Sequence, residues 1–103
     1  MNMNLSAGIK AMLHDGERNA VSRTELAMFF NEDERAIRKT IERLRRSGIV
    51  IASSKQGYFY PETVAELTSY IHREERRSKQ IHTVLNSARA MLQQMINVEK
   101  EDE

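Results

Sequence analysis

Ser22-Arg23-Thr24-Glu25-Leu26-Ala27-Met28-Phe29-Phe30-Asn31-Glu32-Asp33-Glu34-Arg35-Ala36-Ile37-Arg38-Lys39-Thr40-Ile41-Glu42-Arg43-Leu44-Arg45-Arg46-Ser47-Gly48 is the stretch that decides the fold. Its first four residues are a capping box. The serine oxygen accepts from the Glu25 amide while the glutamate reaches back. A short helix carrying Leu26, Ala27, Phe29 and Phe30 is predicted to follow, and Asn31 to Asp33 form a tight connection. Asp33 is a competent N-cap for a second helix. Ile37, Ile41 and Leu44 make its buried stripe, while Arg35, Arg38, Lys39, Glu42, Arg45 and Arg46 cover the other faces. Gly48 stands where a helix is expected to end, because glycine takes positive φ without a Cβ penalty.

Upstream, Leu5, Ile9, Met12 and Leu13 share one helical face, and Asp15-Gly16 closes that helix. Downstream, the β-branched run Ile49-Val50-Ile51-Ala52 predicts a strand and Ser53 to Gly57 a turn. Tyr58-Phe59-Tyr60 predicts a second strand, stopped by Pro61. After Pro61 no strong breaker appears. Thr63 and Glu66 are a second capping pair, opening a helix over 63–98 that would be roughly 54 Å long. Positions 64, 67, 71, 74, 78, 81, 85, 88, 92 and 95 alternate spacings of three and four. They are apolar except at Glu74 and Ser78, which gives a heptad seam with a hydrophilic break. The expected fold class is mainly α with a small β-hairpin. The expected organisation is a domain over 1–62, a long helix over 63–98 and an acidic frayed tail over 99–103. Val64, Leu67, Tyr70 and Ile71 are expected to close the domain's core.

Composition narrows the function classes. The 103 residues are 40% hydrophobic and 30% charged, as in a folded chain. No apolar run approaches the ~18 residues of a spanning helix, and Met1-Asn2-Met3-Asn4 lacks the plan of a signal peptide. With no cysteine there are no disulfides, thiolate metal sites or cysteine nucleophiles. A cytoplasmic location is the expectation. The net charge of +1 hides an uneven distribution. Between residues 35 and 55 stand Arg35, Arg38, Lys39, Arg43, Arg45, Arg46 and Lys55 against Glu42 alone, a local +6. A basic centre in a near-neutral chain points to an anionic partner.

Two short helices joined by a tight turn, the second one basic, make a helix-turn-helix, and a hairpin directly after them adds a wing. A helix fits the major groove, where exposed side chains reach base edges, while lysine and arginine meet phosphates and release counterions. The residues over 20–27 and 36–49, with Gly57-Tyr58, resemble a winged helix-turn-helix DNA-binding domain over about 5–61. They are similar to the N-terminal domains of the biotin-operon repressor and of DeoR-type repressors, and small stand-alone members occur in bacteria and their phages. The resemblance implies that the helix over 34–46 reads the major groove and that the hairpin over 49–60 is the wing. The positions it places at double-stranded DNA are Ser22, Arg23, Thr24, Glu34, Arg35, Arg38, Lys39 and Glu42, with Ser54, Lys55 and Gln56 on the wing. One departure stands out. Where the family has a glycine, an apolar residue and a serine, this chain has Asn31-Glu32-Asp33-Glu34. Three acids there repel phosphates, so Glu32 and Glu34 are expected to restrain non-specific binding.

The remaining chemistry-bearing residues read as structure. His14, His72 and His82 have no nearby ligand set, and Glu74 and Glu75 diverge on a helix. Met91 and Met95, like Tyr58 and Tyr60, read as packing. With no nucleophile–base set, phosphate loop or metal signature, neither an enzyme, a cofactor nor a small-molecule ligand is expected. The reading is a small transcriptional regulator that forms a homodimer through Ile81, Val84, Leu85, Ala88, Leu92 and Met95. The alternative is a winged-helix protein-interaction adaptor with little DNA binding.

Overall fold

The computed structural model describes residues 3–101. Helix α1 spans Met3–Met12, a single 3₁₀ turn Glu17–Asn19, α2 Arg23–Phe30 and α3 Glu34–Arg46. Strands β1 (Ala52–Ser54) and β2 (Gly57–Phe59) follow, then α4 (Val64–Glu101). The chain divides into two compact units, one ending at Tyr70 and the other beginning at Ile71.

The first unit is built on a core that α1, α2, α3 and the hairpin enter. Leu5, Ile9 and Leu13 come from α1 and its end, Leu26 and Ala27 from α2, and Ile37, Ile41 and Leu44 from α3. Val21, Ile51, Tyr58 and Phe59 complete it from the sheet side, all at or below 9% exposure. Burying each large aliphatic side chain contributes about 1.5–3 kcal/mol, which is what orders so small a unit. Thr40 is a polar residue inside this shell, and its hydroxyl donates to the Ala36 carbonyl at 2.8 Å. Gly8 lies within α1 and does not break it. The ring of Phe30 occupies the space a Cβ would take, 2.6 Å from that position.

The hairpin pairs Ala52 with Phe59, Ser53 with Tyr58 and Ser54 with Gly57, leaving Lys55-Gln56 as the turn. This corrects the expected first strand over 49–52 and the expected turn over 53–57. The cause lies at the end of α3. Gly48, at φ 105°, donates to the Arg45 carbonyl, and Ile49 donates to the Leu44 carbonyl. That pair of bonds is a Schellman motif, so the Ile49 amide belongs to the helix end rather than to a ladder. Ile51 then enters the core and pairing begins only at Ala52. Val21 adds a rudimentary third strand, exchanging backbone bonds with Tyr58 at 2.9 Å in both directions.

Helix α4 opens at Thr63, whose Oγ1 accepts from the Glu66 amide at 3.1 Å. The Glu66 carboxylate reaches further than a capping box requires, accepting from the amides of Glu62 (2.8 Å) and Glu17 (3.0 Å). Val64, Leu67 and Ile71 do not close the core. They are 84%, 37% and 45% exposed, and no residue of α4 is buried. Tyr70 alone of the four is half-buried, and the Arg45 guanidinium sits 5.4 Å above its ring. The helix continues past residue 98 to Glu101.

The second unit is this helix from Ile71 onward, and none of its described residues is buried. Ile81, Val84, Leu85, Met91, Leu92, Met95, Ile96 and Val98 are all exposed apolar side chains. Among the described residues, no helix is long and apolar enough to cross a membrane.

Candidate nucleic-acid interface

The interface is assembled around the junction of α2 and α3. Ser22 closes its capping box as expected, with Oγ accepting from the Glu25 amide at 3.0 Å and its own amide donating to Glu25 Oε1 at 3.3 Å. Asn31 ends α2 in the left-handed region at φ 54°, and the Glu32 amide turns back to the Ala27 carbonyl at 2.9 Å. Asp33 Oδ1 then accepts from the Ala36 amide at 2.7 Å and starts α3. Three connecting residues therefore set the two helices, and each has a local reason to be where it is.

Two of the three acids at this turn, Asp33 and Glu34, are engaged. Glu34 accepts from Arg23 Nε and from Thr24 Oγ1, both at 3.2 Å, tying the first turn of α3 to the first turn of α2. Asp33 is committed to the helix cap. Arg23, Thr24 and Glu34 thus form one exposed cluster, in which an expected cation and an expected repulsive acid hold each other.

Along α3, residues 35, 38, 39, 42 and 46 fall opposite the buried positions 37, 40, 41 and 44. Arg35, Arg38, Lys39 and Arg46 are exposed there, with Arg43 beside them. Among the described residues, no carboxylate pairs with any of these five cations. Glu42 pairs with Arg45 at 3.0 Å. Arg45 is the residue that sequence reasoning misplaced among the exposed cations. Its side chain is only 16% exposed. Its Nε donates to the Ile51 carbonyl at 2.9 Å, a second nitrogen to Ser53 Oγ at 3.4 Å, and its guanidinium lies over the rings of Tyr58 and Tyr70. It fastens α3 to the hairpin and to the start of α4. The partners are far away in sequence, so no local pattern signals this role.

At the hairpin tip, Ser54 Oγ accepts from the Gln56 amide at 3.1 Å and donates to Gln56 Oε1 at 3.0 Å, so these two side chains satisfy each other. Lys55 projects from the turn as an exposed cation. Gly57, at φ 133°, is required at the base of the tip, since a Cβ there would run into the Val21 carbonyl.

One protein-family model, described as an HTH domain, matches residues 9–59. That segment is a helix-turn-helix domain. Comparison with curated proteins finds no match, nor does comparison with solved structures. The family match spans α2, the turn, α3 and the β1–β2 hairpin, so the hairpin is the wing of a winged helix-turn-helix. A helix-turn-helix domain of this kind supports a DNA-binding, regulator-type function. In the winged domain the cationic face of α3 and Lys55 of the wing are exposed.

Proposed function

We propose that this chain is a sequence-specific double-stranded DNA-binding protein that acts as a dimeric transcriptional regulator. The observation that carries the reading is the face of α3. Arg35, Arg38, Lys39 and Arg46 are exposed on one side of the second helix of a helix-turn-helix, while Glu34 and Glu42 are already matched to arginines. Bidentate arginines on such a helix read guanine edges, and lysine and the wing's Lys55 neutralise phosphates. Ser22, Arg23, Thr24 and Glu34 shape the entry to that helix. In this reading they position it, with Arg23 available to a phosphate when it exchanges Glu34 for DNA.

The dimer rests on the second unit. A helix whose large apolar residues from Ile81 to Val98 all face water forfeits roughly 1.5–3 kcal/mol for each one that a partner would bury. Leu85→Asp places an unpaired charge in that stripe. It should turn a sedimenting dimer into a folded monomer with unchanged secondary structure in the winged domain.

Binding is tested by titrating random and enriched duplexes at ~50 mM salt, where phosphate contacts are strong. Arg38→Ala should lose ~1–3 kcal/mol of discrimination if it reads a base, and Lys39→Ala should weaken binding to all sequences alike. No binding to any duplex would replace this reading with the adaptor, a winged helix used to dock a protein.

A further inference from the structure

Resting on the dimer reading above, we infer that the C-terminal helices of two chains pair antiparallel over residues 81–98. Two independent features of the helix select that orientation. The first is the flank of the seam. With Leu85 and Leu92 at heptad position a and Ile81, Ala88 and Met95 at d, one flank carries Val84, Met91 and Val98 at g. The other carries His82, Arg89 and Ile96 at e. Val84, Met91 and Val98 are 68%, 62% and 56% exposed, so the apolar stripe spills mainly to the g side, with Ile96 alone on the other. In a parallel pair the g flank of one helix lies against the e flank of the other, which sets Val84 against Arg89. In an antiparallel pair like flanks meet, and the apolar row covers itself. Two shallow apolar hollows lie along that side. One is lined in part by Ile81, Val84 and Leu85 and the other by Met91, Met95 and Val98, with Ala88 between them.

The second feature is charge. Just before the stripe stand Arg73, Arg76, Arg77 and Lys79 against Glu74 and Glu75, a net +2. Just after it stand Glu99, Glu101, Asp102 and Glu103 against Lys100, a net −3. Parallel pairing lays like ends together; antiparallel pairing lays each basic end along the partner's acidic one. Charges flanking a helix seam set orientation in this way. The register that matches small to large sets Ala88 opposite the partner's Leu92 and Leu85 opposite the partner's Met95. The two Ile71 positions then stand roughly 57 Å apart along the pair, at ~1.5 Å per residue.

The chain has no cysteine, so introduced thiols report the geometry without background. Chains carrying Leu85→Cys and chains carrying Met95→Cys, distinguished by a tag, are mixed and oxidised, and the unsubstituted chain is sedimented in parallel. A disulfide forms only where Cα atoms come within about 7 Å. The expected result is a dimer on sedimentation, with the mixed 85–95 disulfide as the main product. Ala88→Cys mixed with Leu92→Cys should repeat it if the first pair disturbs the seam. A dimer in which Leu85→Cys links to itself overturns the antiparallel pairing while leaving the dimer standing, and a dimer giving no disulfide with either pair overturns the pairing as well. A monomeric unsubstituted chain overturns the dimer reading itself.

Discussion

Glu34 and Arg45 show how differently two charged residues on one helix are employed. Glu34 sits at the end of α3 nearest the turn, where its charge favours the helix dipole and its carboxylate holds Arg23 and Thr24. As an exposed pair it adds little to stability, ~0–1 kcal/mol. Its larger effect falls on DNA. Glu34→Gln removes a negative charge and releases Arg23, so affinity for random duplex should rise by up to roughly fivefold, the equivalent of ~1 kcal/mol, with the melting temperature little changed. Unaltered affinity measured by fluorescence anisotropy would place this end of α3 away from the phosphates. The caps at Ser22 and Asp33 were legible in the sequence because their partners lie three residues away. Arg45 was not legible, because its partners at Ile51, Ser53, Tyr58 and Tyr70 come together only in the folded chain.

At the scale of elements, the helices were readable wherever a 3.6-residue apolar period met a cap. Ile37, Ile41 and Leu44 are buried as the spacing requires. The β1 strand was displaced because Ile49-Val50-Ile51 has strand composition, yet its first amide is taken by the Schellman bond and Ile51 by the core. Composition does not report either demand. The wing's closure on Val21 makes a sharp prediction. Gly57→Ala combines a positive φ with a backbone collision and should destabilise by ~1–3 kcal/mol, read as a lower denaturation midpoint with the wing's amide resonances shifted most. At the start of α4, hydrogen bonds from the amides of Glu62 and Glu17 hold the Glu66 carboxyl below its usual 4.5 against the opposing effect of burial, with smaller help from the Thr63 amide and the Arg18 charge. A lowered carboxyl contributes stability above its unfolded value and loses it as pH falls through the folded one. The Glu17 and Glu62 amide shifts should therefore titrate together with a midpoint below 4.5, and Glu66→Ala should abolish that titration.

For the whole molecule, the sequence pattern separated a punctuated half from an uninterrupted one near residue 62, whereas the compact units divide within α4, at Tyr70–Ile71. The heptad spacing of the second half was plain, but it could not say where the first unit's core ended. Val64, Leu67 and Ile71 continue the seam and stay exposed. A long apolar stripe and a small basic winged domain on one chain make sense together if the stripe joins two copies and each copy brings one cationic helix to DNA. Contact between α3 and the phosphate backbone would show itself in the salt dependence of binding. The logarithm of the binding constant for a duplex is measured against the logarithm of salt concentration for the intact chain and for Lys39→Ala. The expected result is a linear fall for the intact chain, with a slope of about −0.9 per phosphate contacted, and a slope shallower by about one for Lys39→Ala. Binding that ignores salt, or a slope that Lys39→Ala leaves unchanged, would contradict it.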